Sequence, residues 1–95
     1  MPTIWGLLDR MHHDDDGHQW IEVKTALSSG IAIHVRAVIE PRTIVARGVE
    51  RVPPSSLRSG ESVEVTYHHG YAGFLEAEMV YVLPDQVAVS QEAEG

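Results

Sequence analysis

The sequence contains no cysteine and one phenylalanine, and it has 7 lysines and arginines against 14 acidic residues. The lack of cysteine excludes disulfides, thiolate metal sites and cysteine nucleophiles, and it is compatible with a reducing compartment. No apolar run approaches the length of a membrane-spanning helix, and the N-terminus lacks the basic start and apolar run of a signal peptide. We therefore expect a cytoplasmic protein with no membrane partner, although the mature form of an exported protein would look the same.

The length of 95 residues predicts one domain, since two separate cores would each need more chain. The composition, 43% hydrophobic and 22% charged, is that of an ordinary globular protein. We assign residues 1–90 to this domain and residues 91–95 to a frayed acidic tail. The expected assembly is a monomer or a weak oligomer.

A hairpin between Leu57 and Val82 is the clearest structural signal. Val63 and Val65 alternate with polar residues, which is the period of a half-buried strand. Residues 68–73 predict a turn with two glycines, and a second strand begins at Phe74. The apolar run at residues 79–82 breaks the alternation of this second strand, which indicates a bulge or a change of sheet.

Three further strands are predicted before the hairpin, separated by a turn at residues 12–17 and a turn at residues 28–30. The first, at residues 3–11, has Gly6 in its middle, as in a bent strand. The others cover residues 19–24 and 31–36. Pro41 must interrupt any ladder that passes through it, and a short strand is predicted at residues 43–46. The prolines at residues 53–54 predict a tight or 3₁₀ turn.

These signals predict an all-β protein, namely a small closed or partly open barrel of five to six antiparallel strands with little or no helix. The barrel of the oligonucleotide/oligosaccharide-binding (OB) type fits best. The chain also resembles a bacterial family of small OB-like barrels of unassigned function. The resemblance covers residues 3–82 and rests on Gly6, Thr43, Leu57-x-x-Gly60-x-x-Val63-Glu64-Val65 and Gly73-x-Leu75-Glu76-Ala77-x-x-Val80. It implies a fold and supplies no catalytic residues.

The charges are segregated along the chain. Residues 34–58 carry five arginines and two glutamates, whereas residues 59–95 carry seven acids and no lysine or arginine. An OB barrel could bind single-stranded nucleic acid by stacking bases on aromatic rings and contacting phosphates with cations. The candidate ligand-binding residues are Trp20, Tyr71, Arg36, Arg42, Arg47, Arg51 and Arg58. The net charge of −7 disfavours this function, and the acidic strands could instead neutralise the arginines.

A second candidate site is the polar loop at residues 12–18. Its imidazole and carboxylate groups are donors for zinc, nickel or copper. The candidate ligands are His12, His13, Asp14, Asp16 and His18. Neighbouring residues of an extended strand point to opposite faces, so we expect a solvated hairpin tip with only opportunistic metal binding.

The sequence predicts no enzyme and no cofactor. It contains neither a nucleophile elbow nor a glycine-rich phosphate loop. Glu76 and Glu78 share a strand face, as an acid and a base would, but this spacing is also typical of the solvent side of a strand. The leading hypothesis is therefore a binding module for a protein or a small ligand.

Overall fold

A computed structural model describes residues 2–15, 17–70 and 73–84, and about two thirds of these residues lie in β-strands. The strands are β1 (Thr3–His13), β2 (Gln19–Ala26), β3 (Ala32–Arg47), β4 (Glu50–Arg51), β5 (Ser62–His69) and β6 (Leu75–Val82). A 3₁₀ turn at Pro54–Ser56 matches the prediction from the prolines. The all-β prediction is confirmed. The tail predicted at residues 91–95 lies outside the described residues.

Five of the strands close into a barrel, in the order β1, β2, β3, β6, β5 and back to β1. The short β4 pairs with the end of β3 and stands outside the ring. All neighbours in the ring are antiparallel except β3 and β6, which are parallel, where the prediction had only antiparallel strands. The reason is geometric, because a closed ring with an odd number of strands cannot alternate direction at every pair.

Strand β1 bends at Gly6, where it leaves β2 and turns towards β5. It pairs with β2 from Leu7 to His13 and with β5 from Thr3 to Leu7. A β-carbon at Gly6 would overlap the carbonyl oxygen of Lys24, so the two backbones approach more closely than any side chain would permit. The prediction of a first strand bent at a glycine is confirmed.

Strand β3 carries Pro41 in a wide bulge. Ile39 pairs with Ala77 of β6, but the next pair joins Ile44 to Met79, so β3 has several extra residues between these two pairs. The predicted interruption at Pro41 is therefore real, because proline has no N–H to donate to a ladder. Residues 43–46 form the second half of β3, where the sequence predicted a separate strand.

Strand β6 carries the bulge that the sequence predicted, one residue earlier than expected. Tyr67 pairs with Ala77 and Thr66 pairs with Met79, so Glu78 has no residue opposite it. The bulge lets both Ala77 and Val80 face the core, which strict alternation would not allow.

The interior of the barrel is filled by small and branched apolar side chains. The buried apolar residues are Leu8, Ile21, Val23, Ala37, Ile39, Val45, Leu57, Val63, Val65, Ala77, Val80 and Val82. Leu57, delivered by the 3₁₀ turn, closes one part of this core. The described residues include no helix of the length and apolarity needed to cross a membrane.

Candidate functional site

The outer face of strands β1, β2 and β3 carries an aromatic and cationic group centred on Trp20. Ile21 and Val23 are buried, so alternation places Trp20 on the outside of the barrel. Its register partner His12 stacks on the indole with ring centroids 4.2 Å apart. The guanidinium carbon of Arg36 lies 4.7 Å from the indole centroid, within the range of a cation–π contact. The structure thus brings together two predicted ligand residues, Trp20 and Arg36.

A cleft of about 420 Å³ lies beside this group. Its apolar lining includes Trp20, Val38, Phe74 and Leu75, which come from β2, β3 and the start of β6. Phe74 is 63% exposed, although it is a large apolar side chain. Concave surfaces with aromatic and aliphatic walls and few polar groups are typical of ligand sites.

The rim of this cleft is mainly acidic. Asp14, Glu40 and Glu76 line it together with His18 and Arg36. Asp14 accepts a hydrogen bond of 2.9 Å from the backbone N–H of His18, so this acid also fixes the turn between β1 and β2. Three carboxylates therefore surround the cleft against one guanidinium.

A second cleft of about 420 Å³ adjoins the first, since Glu40 and Glu76 line both. His68 and Glu78 belong to this second cleft, as does Arg42. The predicted turn at residues 68–73 was too long, because His68 and His69 continue β5. Pairing along the extended strand sets His68 opposite Glu76.

His68 lies between the two glutamates that the sequence placed on one strand face. Its Nε2 is 2.9 Å from Glu76 Oε1, and its Nδ1 is 2.6 Å from Glu78 Oε2. The Nδ1 contact is short, although its geometry falls outside that of a regular hydrogen bond. Neither glutamate is simply on the solvent side, since both are partly buried and both contact the imidazole.

The remaining predicted arginines, Arg47, Arg51 and Arg58, do not line the Trp20 cleft, although Arg51 lines a neighbouring cleft with His18 and Glu40. Arg47 binds both carboxylate oxygens of Glu61, at 2.9 and 2.7 Å, and the carbonyl of Ser56 at 3.0 Å. Glu61 belongs to the acidic segment at residues 59–95, so it neutralises Arg47 as the charge pattern led us to expect. Arg51 lies on β4 and Arg58 is exposed after the 3₁₀ turn.

Two predicted site residues, Tyr71 and Asp16, lie outside the described residues. Among the described histidines and acids, those of the 12–18 loop do not form a group of three with ligating atoms close together. Its hairpin turn is confirmed by the bond from the N–H of Asp14 to the carbonyl of His18, at 2.9 Å.

Three other residues with side chains that can ligate a metal come together on the outer face of the barrel. They are Asp9, Glu22 and His34. One ligating atom from each lies within 4.8 Å of the others. His34 Nδ1 is 3.4 Å from Asp9 Oδ2 and 3.2 Å from Glu22 Oε2. The bulge of β1 between Leu8 and Arg10 places Asp9 out of the regular register.

Sequence reasoning did not single out Phe74, which lines the cleft, or the group of Asp9, Glu22 and His34. Phe74 stands next to a predicted turn, and its identity as the only phenylalanine was a usable signal. The other three residues belong to three strands, so only the strand register brings them together. No protein-family model, curated protein or solved structure matches this chain.

Proposed function

We propose that this protein is a non-enzymatic binding module on a barrel of the OB type, related to the bacterial family that its sequence resembles. The closed ring of five strands with one parallel pair supports the barrel type. The proposed ligand site is the cleft beside Trp20, on the outer face of β2, β3 and the start of β6. The observation that carries the proposal is the exposed phenyl ring of Phe74 at an apolar concave surface.

A ligand in this cleft gains free energy by covering apolar surface that the barrel leaves in water. The apolar lining includes Phe74 and Leu75 as well as Trp20 and Val38. Burial of an aromatic side chain contributes more than that of most residues, because of its large area.

The neutral apolar dye N-phenylnaphthylamine, which fluoresces strongly in apolar sites, tests this proposal. Phe74→Ala should weaken dye binding about tenfold, the effect expected when a central aromatic contact is lost. Ile31→Ala is the matched control, because Ile31 is 61% exposed on the hairpin between β2 and β3, close to the 63% of Phe74. Dye binding that falls in Ile31→Ala and is unchanged in Phe74→Ala would contradict the proposed site.

Binding of a divalent cation is a second candidate function, favoured by the mutual approach of Asp9, Glu22 and His34. One imidazole and two carboxylates suit zinc or nickel. This candidate site lies on the strand face, whereas the candidate metal site from the sequence was the 12–18 loop.

Calorimetric titration with zinc separates the two metal sites. We expect stoichiometric binding that is lost in His34→Ala and retained in His18→Ala. A preformed site should also raise the melting temperature with zinc concentration, because the unfolded chain lacks it. Binding lost in His18→Ala and retained in His34→Ala would place the metal on the loop instead.

A further inference from the structure

The two adjoining clefts form one groove with an apolar end and an acidic end, which we define as the Trp20–Glu78 groove. Its apolar end contains Trp20, Val38 and Phe74. Its acidic end contains Glu78, and Glu40 lines both parts. A ligand that fills the whole groove must therefore have an apolar part and a polar part of matching charge.

The charge of the groove is negative. Four carboxylates, those of Asp14, Glu40, Glu76 and Glu78, line it against the two guanidinium groups of Arg36 and Arg42. Histidines His18 and His68 also line it, and each has a carboxylate beside it.

Both arginines have acidic neighbours that reduce their attraction for an anion. Arg36 lies against the indole of Trp20 and is the register partner of Glu22. Arg42 shares its cleft with Glu40, Glu76 and Glu78. The net charge of the chain, −7, adds to the negative potential around the groove.

We propose that the Trp20–Glu78 groove binds a peptide segment of a partner protein in which an apolar side chain is flanked by lysine or arginine. This inference rests on the proposed function, since it specifies the ligand of the same cleft. The apolar side chain occupies the end with Trp20 and Phe74, and the cation faces the carboxylates of Glu40, Glu76 and Glu78. Charge complementarity of this kind selects a partner and speeds its association.

A nucleic acid fits this groove poorly. A nucleic acid along the groove would meet four carboxylates and two guanidinium groups. Binding through phosphates depends on the release of counterions by several lysines or arginines, which this surface does not concentrate.

The experiment uses the full chain with Trp5→Phe, so that Trp20 is the only tryptophan and reports on the groove by its fluorescence. The probes are a short capped peptide with phenylalanine and leucine between lysines, the same peptide with glutamate in place of lysine, an oligothymidine strand and N-phenylnaphthylamine. We expect the lysine peptide to change Trp20 emission saturably and the glutamate peptide and the oligonucleotide to have little effect. Added salt should weaken binding of the lysine peptide.

The variant Glu40→Gln tests the ionic part of the interaction. It should weaken binding of the lysine peptide by up to about fivefold, as expected for one partly exposed ion pair. Binding of the neutral dye should be unchanged. Glu50 is an exposed acid on β4, so Glu50→Gln is the matched control. It should change neither peptide binding nor dye binding. Dye binding at Trp20 with equal binding of the lysine and glutamate peptides would overturn the peptide inference alone. Tighter binding of the oligonucleotide than of the lysine peptide would also overturn it, and no response of Trp20 to any probe would overturn the proposed site as well.

Discussion

At the scale of single residues, Thr43 holds the barrel together at its least regular point. It is the polar residue among the buried side chains of the described chain. Its hydroxyl donates to the carbonyl of Ala77 at 2.6 Å and accepts from the N–H of Glu40 at 2.8 Å. Without the Thr43 hydroxyl, the bulge around Pro41 would leave the N–H of Glu40 and the carbonyl of Ala77 without these hydrogen bonds. One side chain therefore replaces part of the ladder that the bulge disrupts.

Thr43→Val should lower the free energy of unfolding by about 2 kcal/mol or more, because it keeps the shape and removes both hydrogen bonds. Thr43→Ser keeps the hydroxyl and loses one methyl, so it should cost about 1 kcal/mol. Urea unfolding monitored by circular dichroism measures both values. A serine variant as unstable as the valine variant would show that packing of the methyl, rather than hydrogen bonding, explains the role of Thr43.

From the sequence, Thr43 was assigned to a predicted short strand and to the family resemblance, and neither could reveal this role. The partner Ala77 is far away in the chain and reaches Thr43 through the parallel pairing of β3 with β6. Gly6 differs, because a glycine in the middle of an apolar strand is itself a signal of close backbone approach.

At the scale of elements, the alternation of apolar and polar residues predicted which strand faces point inward. Val63 and Val65 of β5 are fully buried, as the alternation required. A break in alternation indicated the bulge of β6, but alternation did not predict the pairing of strands or the bulge of β1. The group of Asp9, Glu22 and His34 depends on both, since its members lie on three strands. This is why the sequence directed attention to the histidine-rich loop.

The facing of β5 can be tested by comparing substitutions at adjacent positions. Val65→Asp places an unpaired carboxylate where no surface is exposed, and it should cost several kcal/mol. That cost is comparable with the whole stability of a small domain, about 5 to 15 kcal/mol. Glu64→Ala should change stability by less than about 1 kcal/mol, because Glu64 is partly exposed on the outer face. Equal melting temperatures would contradict the assigned facing.

At the scale of the whole molecule, closure of the barrel creates the proposed site. Phe74 follows the turn after β5, whereas Trp20 belongs to β2, and β3 lies between their strands in the ring. The sequence predicted the barrel class and singled out Trp20 and Arg36. It could not predict the cleft, because the cleft exists only where β6 joins β3 and the ring is complete.

The molecule has a second exposed aromatic surface, which makes the central claim testable. Trp5 is 64% exposed on the first half of β1 and borders two clefts of its own. The chain has 2 tryptophans, so its NMR spectrum should contain two indole N–H signals, one for each surface. Trp5→Phe removes one signal and thereby assigns both.

The most direct measurement is therefore a titration of the ¹⁵N-labelled protein with N-phenylnaphthylamine, followed through these two indole signals. Binding at the cleft beside Trp20 predicts that the Trp20 signal shifts progressively to saturation and the Trp5 signal stays in place. In Phe74→Ala the same shift should require more dye. A shift of the Trp5 signal with the Trp20 signal unchanged, or no shift of either, would contradict the assignment of the ligand site to this face of the barrel.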